Sequence, residues 1–122
     1  MRKLLLILCS APLWSACGPQ LGECKTTYTV EMQTAGQQVV RDVCRGCHDS
    51  TLTGDDRNKA PKDLNWDDLA LVRSHAAKMY AEAAEGAMPP KDAVSFTPLT
   101  QADKDNLRAW LACGAQALLT DF

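Results

Sequence analysis

The chain has 122 residues and a formal net charge of −2, with 13 Lys and Arg against 15 Asp and Glu. That length fits one domain, and the weakly acidic balance argues against nucleic acid as a partner, which rewards basic patches. Six cysteines in so short a chain need an account of their own.

Residues 1–16 read as a secretory signal peptide. Met1-Arg2-Lys3 is a positive start, Leu4 to Leu8 is apolar, and Ala11 to Ala16 leads to Cys17; the apolar run is too short to span a membrane. Leu13-Trp14-Ser15-Ala16-Cys17 resembles a bacterial lipobox, which implies that Cys17 becomes a lipidated N-terminus. Trp14 stands where that pattern has an aliphatic residue; ordinary cleavage or an uncleaved anchor is the alternative. Each route leads to an exported protein on the periplasmic side or in the cell envelope; where Cys17 is lipidated, the lipid is its membrane contact. Without residues 1–16 the Lys and Arg count falls by Arg2 and Lys3 from 13 to 11 against 15, a balance of −4. The remaining body, about 105 residues, buries only a modest core unaided.

Residues 17–29 are polar, with Gly18, Pro19 and Gly22, and read as a tether and leading segment to a domain over 30–122. A first helix is predicted from Val30 to Cys47, since Met32, Gly36, Val39, Val40 and Val43 recur at helical spacing. Gly36 costs that helix about 1 kcal/mol relative to alanine, which points to a close backbone approach. Residues 49–65 form a polar connection too long for a simple turn. A second helix is expected over Trp66 to Glu85, with Asn65 as N-cap and a stripe of Leu69, Val72, Ala76, Met79, Tyr80 and Ala83. Gly86 ends it. Met88-Pro89-Pro90 then presents Met88 from a stiff extended loop. A third helix begins at Thr100, with Asp103 completing a near capping box; Leu107, Trp110 and Leu111 face inward and Gly114 stops it.

Within this all-α pattern lies Cys44-Arg45-Gly46-Cys47-His48, the C-x-x-C-H attachment pattern of a c-type haem. Two thiols about one helical turn apart can bond to the two vinyl groups of one porphyrin, and the adjacent imidazole supplies the proximal iron ligand. Arg45 and Gly46 bridge the gap, and their identity carries little. Met88, 40 residues after His48, can return to the opposite face of a flat ligand. Of the other cysteines, Cys9 and Cys17 belong to the leader. Cys24 and Cys113 remain, either as a bridge worth about 2–4 kcal/mol or as two separate thiols.

The chain resembles the small bacterial class I cytochromes c, monohaem electron carriers. The resemblance rests on Cys44-Arg45-Gly46-Cys47-His48 after an N-terminal helix, Gly36 eight residues before the first cysteine, Met88-Pro89-Pro90, and a last helix bearing Trp110. It covers about Val30 to Gly114. It implies a cytochrome c-like fold of three main helices around covalent haem c, with Cys44 and Cys47 attached and His48 and Met88 as axial ligands. It also implies that Gly36 and Trp110 mark a close helix crossing, and that a proline carbonyl, here Pro61, accepts from His48. Val40 stands where the family often has an aromatic. The implied partners are redox proteins that exchange single electrons with it.

Competing readings exist for each residue. Met79 is the other thioether, read as core or haem packing; Met32 is core. His75 is a half-exposed helical histidine, or a distal ligand or propionate contact. Trp66 and Tyr80 are pocket packing or core. Arg57, Lys59 and Lys62 either offset haem propionates or make a solvated loop. A haem sensor or enzyme subunit needs an open distal site. A zinc site lacks a second cysteine pair, and a thioredoxin-like motif lacks strands. A non-haem anchored binding protein would carry Cys44 and Cys47 joined to each other.

Overall fold

The computed structural model describes residues 18–93 and 97–117. The expected signal peptide over 1–16, Cys9 and the lipidation site at Cys17 lie outside the described residues. Among these, the chain forms three α-helices and no strand: α1 (Val30–Asp42), α2 (Leu69–Glu85) and α3 (Gln101–Ala112).

Helix α1 starts because the Thr29 side chain accepts from the Met32 N–H at 3.2 Å, satisfying one of the donors that a helix start leaves open. It ends sooner than its apolar periodicity predicts. Val43 is the C-cap, and Cys44–Gly46 form a separate 3-10 turn, so the cysteine motif leaves the helix rather than extending it. Helix α3 begins as expected. Thr100 caps the Asp103 N–H at 3.1 Å and the Asp103 carboxylate returns to the Thr100 N–H at 2.9 Å. Cys113 is its C-cap; Gly114 enters a 3-10 turn over Gly114–Gln116 and is buried beneath Trp110.

Helix α2 starts at Leu69, not Trp66. Asp68 is its N-cap, accepting from Ala70 and Leu71 N–H at 2.8 and 3.3 Å, and Asn65 stays in the loop. Gly86 closes it in the left-handed region, φ 77°, where a side chain would be strained.

α1 packs chiefly on α3, which also meets α2. The α1–α3 crossing requires Gly36. A methyl group there would overlap the Asn106 carbonyl oxygen and come within 2.6 Å of its carbon and 2.8 Å of Trp110 Cβ. Val40, Val72, Leu107 and Leu111 are fully buried at the centre, with Trp66, Met79, Tyr80 and Trp110 around them. Met32 is half-buried on α1 and outside this cluster.

The first and the last described segments are both fastened to this core. Cys24 and Cys113 form a disulfide across a sequence separation of 89. Arg108 donates to the Leu21 and Gln20 carbonyls at 2.8 and 2.7 Å, with its guanidinium over the Tyr80 ring. Arg73 donates to the Ala115 and Ala117 carbonyls, each at 2.6 Å.

Candidate cofactor site

The end of α1, the loop over 49–65, one face of α2 and the turn after Gly86 enclose a cavity of about 390 Å³. Its walls are mostly apolar: Val43, Leu64, Met79, Ala83, Leu99 and Leu107 all line it. Cys44, Cys47, His48 and Met88 line the same cavity. Four positions singled out by sequence thus meet in one place.

Cys44 and Cys47 are free thiols, not joined to each other. Burial among apolar neighbours pushes the Cys44 thiol up to about 12, so it is neutral at physiological pH. Among the described residues no group of three or more His, Cys, Asp or Glu side chains gathers.

His48 is buried, and its Nδ1 lies 2.9 Å from the Leu64 carbonyl oxygen. A carbonyl only accepts, so Nδ1 carries the proton and Nε2 is left with its lone pair for a metal. Pro61, the residue expected to accept this bond, instead gives its carbonyl to Arg57 at 2.6 Å. Trp66 stacks on the His48 ring, centroids 5.2 Å apart and 28° between planes, and the Trp66 N–H donates to the His48 carbonyl at 2.6 Å. Burial lowers the His48 pKa most; the Leu64 bond raises it, and the positive charge of Arg57 lowers it.

The segment behind His48 is organised by polar bonds. Asp49 takes both Arg45 donors on one oxygen, at 2.8 and 2.7 Å, and the Thr51 N–H and hydroxyl on the other. Those bonds, Thr51 first and Arg45 after, hold the Asp49 carboxyl down to about 2. Arg45 is therefore more than a spacer: it clamps the turn that follows the motif. Asp67 reaches across to the Ser50 N–H at 2.9 Å.

Arg57 departs furthest from expectation. It is neither solvated nor on the cavity wall; it is 5% exposed and lies behind that wall. Lys59 does line the cavity, with φ 66° next to Asn58 at φ 46°, while Lys62 is exposed beside it. Glu82 and Asp92 also line the cavity, opposite in sign to Lys59 and Lys78.

Met88 is 40% exposed. Its N–H and that of Ala87 both bond the Glu82 carbonyl, at 3.1 and 2.9 Å, which folds the turn against the end of α2; the Met88–Pro89 peptide is cis. Met79 is buried in both the core and the wall. His75 is half-buried and lines the cavity, its Nδ1 donating to the Leu71 carbonyl at 3.0 Å and its ring 5.8 Å from Trp66. A second hollow of about 470 Å³ shares Cys47 and Pro89 and is bordered by Asp42, Asp55 and Asp56. It contains neither His48 nor Met88, and the apolar cavity is the candidate site.

Leu64 and Arg57 escaped sequence reading for different reasons. A backbone carbonyl has no side-chain signature. Arg57 had a weak one, since a planar five-donor fork in a loop otherwise using lysine suits fixed acceptors. No protein-family model, curated protein or solved structure matches the chain. Helix α2 carries no span long and apolar enough to cross a membrane, and neither does any other described helix.

Proposed function

We propose that the chain is an exported monohaem c-type cytochrome that carries single electrons between redox proteins and catalyses no reaction of its own. The observation that carries the proposal is that His48 and Met88, separated by a loop and a helix, line one apolar cavity together with two free cysteine thiols. The donor set matches what haem c requires: two thiols, one nitrogen and one soft thioether.

Bound haem would supply an iron centre able to gain or lose one electron. The protein's part is to hold and tune it. Cys44 and Cys47 anchor the porphyrin covalently. The Leu64 carbonyl fixes His48 in the tautomer with Nε2 free, and Trp66 restrains the plane of its ring. Val43, Leu64, Leu99 and Leu107 exclude water, which disfavours extra positive charge and favours the reduced form. Met88, on the turn after α2, would offer its thioether to the iron.

The setting follows the same reading. Residues 1–16 export the chain and Cys17 carries a lipid that holds it at a membrane. The Cys24–Cys113 disulfide agrees with an oxidising compartment, though only as one weak indication. No nucleic acid enters this reading.

The test is to express the full chain in a host with haem-attachment machinery. A c-type haem spectrum that survives denaturation and acid–acetone extraction is expected. Colourless protein overturns the proposal. One observation favours a haem sensor as second reading: Met88 is 40% exposed, and an exposed thioether is easily displaced. Carbon monoxide binding by the reduced wild-type protein decides for the sensor; its exclusion decides for the carrier.

A further inference from the structure

The loop over 49–65 contains a buried cation without an anionic partner. Arg57 is 5% exposed, and no carboxylate among the described residues pairs with it. Its guanidinium is met instead by neutral oxygens. Nη1 donates to the Asp49 carbonyl at 2.7 Å and reaches Leu52 at 3.5 Å; Nε donates to Ala60 at 3.3 Å. Nη2 donates to Pro61 at 2.6 Å and the Asn65 side-chain oxygen at 3.0 Å. Nη2 also reaches the Leu64 carbonyl at 3.4 Å, the same oxygen that accepts from His48 Nδ1 at 2.9 Å.

A guanidinium stays charged at any accessible pH, so this positive charge is permanent. Burying it unpaired is costly, and tying a loop could be done with neutral side chains. Arg57 does not line the cavity, whereas its neighbours Asn58, Lys59 and Ala60 do. It therefore makes no direct contact with a group held inside the cavity. What Arg57 does touch is the acceptor of the histidine bond.

Resting on the haem reading above, we infer that Arg57 is a positioning residue for His48. It holds the Leu64 carbonyl beneath the imidazole and competes for its electron density, so that His48 gains less negative character through Nδ1 than an unshared carbonyl would give. A hydrogen bond to a ligating histidine raises its basicity as a ligand, and a more basic ligand favours oxidised iron. Sharing the acceptor with a cation therefore shifts the couple toward the reduced form.

The experiment compares haem-loaded wild type, Arg57→Gln and Arg57→Lys. Haem content is read from the extracted-protein spectrum, and the reduction potential by spectroelectrochemistry. The His48 Nδ1–H proton is followed by NMR in the reduced protein. Arg57→Gln is expected to lower the reduction equilibrium constant about tenfold, which is about 59 mV for one electron. Its Nδ1–H should move downfield and exchange more slowly. Arg57→Lys, which keeps the charge and loses the fork, should fall between.

If Arg57→Gln does not hold haem, Asn65→Asp gives the second reading. A carboxylate there draws Nη2 away from Leu64, and the same directions are expected for potential and proton. Haem-loaded variants with wild-type potential and an unmoved Nδ1–H signal would overturn the inference and leave the haem reading intact. Wild type without covalent haem would overturn both.

Discussion

Two sides of the molecule are built on different principles. At the α1–α3 crossing, shape decides. Gly36 lets two backbones meet so closely that a single methyl group has no room, and Trp110 closes over it. On the cavity side, packed residues of α2 and α3 such as Met79 and Leu107 face a loop that is held in another way. The loop over 49–65 is held by Arg57, Asp49 and Asp67 through bonds largely to backbone atoms, and Met88 stands half in solvent. Close packing has one solution, because interiors are dense and respond to a change of even one methylene. Polar bonds to a loop backbone allow local adjustment without loss of the scaffold. The molecule thus pairs one side that does not yield with one that leaves an apolar cavity beside an adjustable loop.

The largest effect should come from the staple across the rigid side. Replacing Cys24 and Cys113 together by serine opens a long loop, and about 4 kcal/mol should be lost in denaturant unfolding. Arg108 keeps its bonds to Leu21 and Gln20, so the leading segment should stay docked in hydrogen exchange. Next comes Gly36→Ala. Helix propensity alone predicts a gain of about 1 kcal/mol. The overlap with the Asn106 carbonyl should turn this into a net loss of about 3 kcal/mol, since neither backbone can yield cheaply. A neutral or stabilised Gly36→Ala protein would remove the contrast between the two sides. Thr100→Ala tests a smaller part of the same scaffold: the reciprocal cap with Asp103 is lost, and about 1 kcal/mol with it.

The two sides also differ in how far a sequence reveals them. The crossing was legible in two parts: the helix cost of Gly36 points to a close approach, and the family resemblance supplied Trp110 and the last helix as its partner. The Thr100–Asp103 cap was legible because its partners lie three residues apart. Spacing and chemistry singled out Cys44, Cys47, His48 and Met88, and the fold brings the four to one cavity. Several of the errors lie where long-range polar contacts choose among local equivalents. Asn65, Asp67 and Asp68 can each cap a helix; Arg57 takes Asn65, Ser50 takes Asp67, and Asp68 is left to start α2. The apolar stripe of α1 continues through Val43 with no proline to stop it, yet the helix ends at Asp42 and the motif turns away. Leu64 rather than Pro61 accepts from His48, and a backbone carbonyl leaves no mark in the sequence by which one could be told from the other.

Met88→Ala should have the smallest effect on folding and the sharpest effect on the site. Met88 is 40% exposed and absent from the core cluster, so removing its side chain leaves little unfilled space. The turn that presents it is fixed by backbone bonds from Ala87 and Met88 to Glu82, which alanine retains. Stability of the bare chain in denaturant should therefore change by less than about 0.5 kcal/mol, the range of a surface substitution. In the haem-loaded protein the same change removes the distal thioether. The reduced form should then bind carbon monoxide, and the reduction potential should fall, because a soft sulfur no longer favours the reduced state. His75 and Met79 also line the cavity, and either could take the vacant position. Spectrum and potential together separate these outcomes: both unchanged from wild type would make Met88 no more than a wall residue, whereas a low-spin signature with a lowered potential marks replacement by His75.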